Sequence, residues 1–220
     1  MRVLLLLAVV LGGCVTTAQP HAPPPTPRLD AVVQAGFVVP ERPTAPPGLD
    51  LTQQLETYEV GGATADEVLA SIAVRSPFRN DDGSKASDAF AAWSMRWFPD
   101  LQSDGSECSV ADVRVTLDVT ITTWAWRPSP AVPPNERRRI ERMGETLLAH
   151  EREHETISVL GALDVIDALR GMRGRDCDQV RTAANATGQQ VLDRIREVNA
   201  ALDVATQHGT VAAPGLRRGD

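Results

Sequence analysis

The feature that most constrains the fold is a stripe of residues that advances by three and four positions from Ile140 to Ile157. This spacing places the side chains of the stripe on one face of an α-helix. The sequence therefore predicts a long helix that begins with Asn135 as its N-cap and ends near 171–174. The stripe consists of Ile140, Met143, Leu147, His150, His154 and Ile157. Two histidines are thus expected to point inward, toward a sheet.

The two histidines of the stripe belong to the pentapeptide 150–154, which has the spacing H-E-x-x-H. Positions i and i+4 lie one turn apart on one helix face, so two imidazoles can bind one cation there. The pattern predicts a zinc site with His150 and His154 as ligands and Glu151 as the base that accepts a proton from water. Arg152 and Glu153 are expected to point outward. The alternative is a solvated helix segment whose charged residues pair with one another.

A catalytic zinc site needs a third protein ligand and an open fourth position. His208, which follows the second predicted helix, is the preferred third ligand, although it is also compatible with a surface histidine in a tail. Asp203 is the first alternative, as a ligand or as a residue that orients one, and Glu197 is the second. The longer H-E-x-x-H-x-x-G-x-x-H pattern is excluded because Ile157 and Leu160 stand where it requires glycine and histidine.

The N-terminus indicates export. Met1 and Arg2 precede an apolar run over 3–11, and Leu11-Gly12-Gly13-Cys14 is typical of a lipoprotein cleavage site. Residues 1–13 are therefore predicted to be a signal peptide and Cys14 to be lipidated. An ordinary secretory signal with an incidental cysteine is the alternative. The residue after the cysteine is not an aspartate, which by similarity to Gram-negative lipoproteins predicts the outer membrane, facing the periplasm.

The remaining composition agrees with an exported protein that acts outside the cytoplasm. If Cys14 carries lipid, Cys108 and Cys177 remain, and two thiols in an oxidising compartment predict one disulfide bond. A metal-ligating role is the alternative, but neither cysteine has a C-x-x-C or C-x-x-H partner. The formal net charge of −7 argues against a nucleic-acid partner.

The chain divides into a proline-rich tether over 14–50, one domain over 51–212 and a loose tail over 213–220. Strands are predicted over 54–60, 89–98 and 110–126, and helices over 65–74 and 179–202. Alternation of apolar and polar residues along 113–122 indicates one buried face. The expected fold is α+β, a small antiparallel sheet packed on the long helix and a second C-terminal helix. The strand 113–122 is expected to offer an edge for an extended peptide.

Several motifs together resemble one bacterial family, catalogued as domain of unknown function 922 and described as predicted secreted zinc-dependent proteases. The resemblance covers about 51–209, and its most particular part is the terminal pattern D-x-x-T-x-H-G. In order, the motifs are Tyr58-x-Val60-x-Gly62, Trp93-x-Met95-x-Trp97, Cys108, His150-Glu151-x-x-His154, Cys177 and Asp203-x-x-Thr206-x-His208-Gly209. The stretch 124–134 is richer in proline than the family pattern.

The resemblance implies a zincin-like domain in which His150, Glu151, His154 and His208 have metal-binding and catalytic roles. The expected function is that of a lipid-anchored zinc metallopeptidase that hydrolyses peptide or protein substrates in the cell envelope. One alternative is a non-catalytic, metal-stabilised binding or envelope-assembly module, which would not need Glu151. A third, suggested only by location, is an amidase or peptidase that acts on cell-wall peptides.

Overall fold

The computed structural model describes residues 27–36, 47–84 and 86–209. The predicted signal peptide 1–13, the lipidation site Cys14 and the tail 213–220 lie outside this part of the chain. The elements are α1 Arg28–Gln34, β1 Leu49–Gly61, α2 Ala65–Arg75, β2 Phe90–Ser103, β3 Cys108–Arg127, α3 Pro134–Leu169, β4 Arg173–Gly174 and α4 Cys177–Thr206. This arrangement confirms the α+β fold. In the described residues, no helix has the length and apolar content needed to cross a membrane.

The sheet is mixed, with strand order β1-β3-β2 and the short β4 paired to β3. β2 and β3 are antiparallel, and the turn between them is stabilised by the Asp104 carboxylate, which accepts the N–H groups of Ser106 and Glu107 at 2.8 and 3.0 Å. β1 is parallel to β3, so the prediction of an antiparallel sheet is wrong for this pair. A parallel pair needs a long connection, which α2 and β2 supply.

β3 is the central strand, because it pairs with β1 on one side and with β2 on the other. The prediction that this strand offers a free edge is therefore wrong. Its alternation does report a buried face, since Val113, Val115 and Leu117 are buried against the helices while Arg114 is exposed. Within the part of the chain that the structure describes, β2 pairs only with β3 and has an open edge.

α3 begins at Pro134, and no side chain caps it, so the prediction of Asn135 as N-cap is wrong. Proline at the first helical position already has the φ that a helix requires. From His150 onward the helix is buried on almost every side, because the sheet, α1 and α4 surround it. Glu153 is consequently only 9% exposed, contrary to the prediction that it points outward, whereas Arg152 is exposed as expected.

α1 lies within the segment that was predicted to be a tether, and this part of the prediction is wrong. Leu29 and Val32 are buried against α3 and α4. The N-terminus of α1 is held by the buried carboxylate of Asp164 on α3, which accepts the N–H groups of Arg28 and Leu29 at 2.9 and 3.1 Å. A few well-spaced apolar residues and a buried acceptor thus outweigh the low overall apolar content of the segment.

Cys108 and Cys177 form the predicted disulfide, which joins the start of β3 to the first turn of α4. The bond closes a loop with a sequence separation of 69 residues and thereby restricts the unfolded chain. We expect reduction to lower the free energy of unfolding by about 3 kcal/mol, measured by urea denaturation with and without reductant. A variant with both cysteines replaced by alanine is the control, and reductant should not change its midpoint. An unchanged midpoint in the wild type would contradict the prediction.

Candidate metal centre

The C-terminal half of α4 runs antiparallel to α3 and lies against the H-E-x-x-H segment. His154 contacts Asn199, whereas His150, one turn earlier on α3, contacts Asp203 and Thr206 further along α4. The two histidines therefore face α4 rather than the sheet, which corrects the predicted direction. The sheet instead covers the neighbouring face of α3, where Val159, Ala162 and other apolar residues pack against β3.

Three side chains bring potential ligand atoms together at this place. The Nε2 atoms of His150 and His154 lie 3.1 Å apart. Each is close to the same carboxylate oxygen, Oδ1 of Asp203, at 3.2 Å from His150 and 3.1 Å from His154. Both histidines are buried, and Asp203 is partly exposed. Two imidazoles and a carboxylate thus form a compact group that is open to solvent on the side of Asp203.

The donor set fits a zinc ion. Tetrahedral zinc with bonds of about 2.0–2.1 Å separates neighbouring ligand atoms by roughly 3.3 Å. The separations of 3.1–3.2 Å among His150, His154 and Asp203 are close to that value. Imidazole nitrogens with a carboxylate oxygen are also ligands that suit zinc. Three protein ligands leave a fourth position for a reacting group, as catalytic zinc sites require.

The electrostatics of the group favour a cation. Burial opposes ionisation of Asp203, but the hydrogen bonds from His150 and His154 outweigh it and hold the pKa of this carboxyl well below its usual range. Burial of His154 works against its protonated form, yet the hydrogen bonds with Asp203 and Asn199 raise the pKa of this imidazole. Both shifts have the same cause, which is that a negative charge at Asp203 favours positive charge on the neighbouring His154 imidazole.

Glu151 lies between this group and the edge strand β2. It is only 5% exposed, and this burial raises the pKa of its carboxyl, while the neighbouring histidines oppose the rise. The backbone of Ala91, near the start of β2, has a smaller effect and lowers the pKa of this carboxyl. A buried carboxylate with a raised pKa is suited to exchange a proton near neutral pH.

Of the three candidates for the third ligand, the structure brings Asp203 to the histidines. His208 is 82% exposed, and its Nδ1 lies 3.6 Å from Asp203 Oδ1, so it stands at the rim of the group rather than within it. Glu197 is exposed on α4 and forms an ion pair with Arg194 at 3.0 Å. The preferred assignment of His208 as ligand therefore gives way to Asp203 in this geometry.

Sequence reasoning assigned no role to Asn199 and Thr206, which bind the other ring nitrogens of the histidines. Asn199 Oδ1 lies 2.7 Å from His154 Nδ1, and Thr206 Oγ1 lies 3.3 Å from His150 Nδ1. The available signal was the spacing of Asn199, Asp203 and Thr206 at i, i+4 and i+7, which places all three on one helix face. Two buried atoms near the histidines, Asn199 Nδ2 and Glu153 Oε2, have no hydrogen-bond partner within the described residues.

A cleft of about 540 Å³ lies elsewhere, between β1 and α3, and its lining includes Gln53, Leu148 and Arg152. Leu148 and Arg152 are on the side of α3 roughly opposite His150 and His154, as the helical phase of about 100° per residue requires. This cleft is therefore separate from the candidate metal site of His150, His154 and Asp203.

Comparison with known families assigns the chain to one of them. Residues 55–209 match the family model described as "Bacterial protein of unknown function (DUF922)". The chain belongs to this family. The match confirms membership of the DUF922 family, and it includes His150, His154, Asp203 and the turn 207–209. No curated protein and no solved structure matches the chain.

Proposed function

We propose that this DUF922 protein is a zinc-dependent metallopeptidase with a zincin-like site, anchored by lipid at Cys14 to the outer membrane and facing the periplasm. One observation carries the proposal, namely the convergence of His150 Nε2, His154 Nε2 and Asp203 Oδ1 within 3.2 Å of one another, with Glu151 buried beside them. Two histidines one turn apart, with a glutamate directly after the first of them, form the pattern that metallopeptidases use.

The proposed division of labour follows from the position of each residue. His150, His154 and Asp203 would hold the zinc ion, which when bound supplies Lewis acidity toward a peptide carbonyl and lowers the pKa of water. Glu151 accepts the proton of the attacking water on its carboxylate and passes it to the amine that leaves. The burial of Glu151 keeps its affinity for the proton high enough to serve both steps.

The open edge of β2 is the proposed seat for an extended peptide. β2 is an edge strand beside Glu151, and alternate residues of an edge strand direct their N–H groups away from the paired strand. A peptide added along this edge would receive backbone hydrogen bonds, which give affinity with little dependence on side chains. Unfolded proteins or flexible peptides of the cell envelope are therefore the proposed substrates.

The proposal is tested with the purified mature protein. We expect about one zinc ion per chain by elemental analysis, together with cleavage of an unfolded protein such as casein or of a peptide library. A zinc chelator should abolish the cleavage, and added zinc should restore it. Zinc binding without cleavage of any peptide would favour the alternative, a metal-stabilised binding module. Absence of zinc binding would overturn both.

A further inference from the structure

We propose that Asn199 and Thr206 are positioning residues that hold His154 and His150 with their Nε2 atoms directed at Asp203. This inference rests on the metal site of the proposed function but does not depend on catalysis. It assigns a physical role to two positions on α4, one of which is the threonine of the D-x-x-T-x-H-G pattern. A neutral imidazole carries one proton, which lies on either Nδ1 or Nε2, and the hydrogen bonds of the ring decide between them.

The neighbours of the Thr206 hydroxyl determine which hydrogen bond it donates and which it accepts. Its single proton is donated to the backbone carbonyl of Leu202 at 2.8 Å, which the geometry of the helix favours. Its oxygen can therefore only accept from His150 Nδ1, at 3.3 Å, so this Nδ1 must carry the proton. The Gly209 N–H donates to the same oxygen at 3.3 Å. With one bond donated and two accepted, Thr206 leaves His150 Nε2 with a free lone pair.

Asn199 has the same effect on the second histidine. Its carbonyl oxygen Oδ1 is an acceptor and lies 2.7 Å from His154 Nδ1, so that nitrogen is the donor and Nε2 again keeps its lone pair. Both imidazoles therefore adopt the tautomer that a metal ligand requires, with protons on the far nitrogens. When both imidazoles are neutral, their Nε2 lone pairs and the Asp203 carboxylate face one another, and a bound cation stabilises this arrangement.

The turn after α4 adds a steric restraint on His150. Gln207 and His208 have left-handed backbones, with φ of 49° and 55°, a conformation that costs about 1 kcal/mol or more for residues other than glycine. The turn brings Gly209, with φ of 77°, against the imidazole, where an added Cβ would lie 3.0 Å from three atoms of the His150 side chain. Backbone strain of this kind tends to persist where function requires it. The turn thus restricts the position of the His150 imidazole, while Thr206 determines that the proton lies on Nδ1.

Two matched pairs of variants test the proposal. Thr206→Val and Asn199→Leu remove the acceptors at similar size, whereas Thr206→Ser and Asn199→Asp keep them. We expect the first two to weaken zinc binding about 10- to 100-fold, measured by competition with a chelator, and the second two to stay within about 3-fold of the wild type or bind more tightly. Cobalt-loaded protein should show the same division in its visible absorption. Thermal unfolding of the metal-free variants separates this effect from a loss of fold.

The proposal is overturned if Thr206→Val and Asn199→Leu are folded and bind zinc as the wild type does, or if the conservative variants lose as much affinity as the others. Should a variant fail to fold, NMR of the zinc-loaded wild type decides, because Nδ1 of both histidines must carry a proton and Nε2 must not. Any other tautomer contradicts the inference. If the wild type binds no zinc, the proposed function itself fails, which is a different result.

Discussion

Replacing Glu151 with glutamine should lower the rate of peptide hydrolysis by about 100- to 10,000-fold while zinc binding persists. Glutamine has nearly the same size as glutamate, but its neutral amide cannot accept a proton from water. The loss is therefore expected in kcat rather than in metal affinity. The measurement is a comparison of steady-state hydrolysis and zinc content between the wild type and the variant.

Glu153→Gln is the matched control for this experiment. Glu153 lies two residues away on the same helix, is also buried at 9% exposure, and undergoes the same chemical change. Asp203 influences the pKa of Glu151 but is not among the groups that shift the pKa of Glu153, so replacement of Glu153 should leave hydrolysis near the wild-type rate. Equal losses in both variants would mean that burial of charge near the histidines, and not proton transfer by Glu151, is what the activity needs.

The local part of the site could be read from the sequence because a helix converts spacing into geometry. The i, i+4 separation of His150 and His154 sets their common face whatever surrounds the helix. The spacing of residues could not show which elements pack against the helix. The predicted stripe indicated that the histidines point inward, but the sheet and α4 both pack on α3, and only tertiary contacts decide which of them the imidazoles meet.

The sequence favoured His208 over Asp203 as the third ligand because the predicted α4 ended too early. A helix that stops at 202 would leave Asp203 in a turn and allow His208 to fold back over α3. The helix instead continues to Thr206, so Asp203 stays one turn from Asn199 and faces the histidines, while His208 falls beyond the helix on a left-handed turn. Helix ends depend on a few hydrogen bonds, such as that from the His208 N–H to the Asp203 carbonyl at 2.9 Å, and sequence patterns define them poorly.

The sequence also failed to predict that β1 runs parallel to β3, because this too depends on tertiary structure. Alternation along β3 reports that one face of the strand is buried, and this holds equally for parallel and antiparallel neighbours. The parallel pairing of β1 with β3 arises from the long connection through α2 and β2, which is a property of the whole topology. Its consequence for function is that the open edge beside the site belongs to β2.

The second prediction concerns zinc affinity and distinguishes Asp203 from His208 as the third ligand. We expect Asp203→Asn to weaken zinc binding by more than about 100-fold, because a ligand should cost more than a residue that only orients one. The amide keeps the shape of the side chain but removes the negative charge that lies 3.1–3.2 Å from both Nε2 atoms. The measurement is the zinc dissociation constant, obtained by competition with a chelator.

His208→Ala and Glu197→Gln are the matched comparisons, since they remove the other two candidate ligands. Both side chains are more than 60% exposed and lie outside the group, so each variant should bind zinc within about 3-fold of the wild type. If His208→Ala instead loses affinity as strongly as Asp203→Asn, the imidazole at the rim moves inward when zinc binds and both residues are ligands. If only His208→Ala loses affinity, the third ligand is His208, and Asp203 orients it across the 3.6 Å that separates Asp203 Oδ1 from His208 Nδ1.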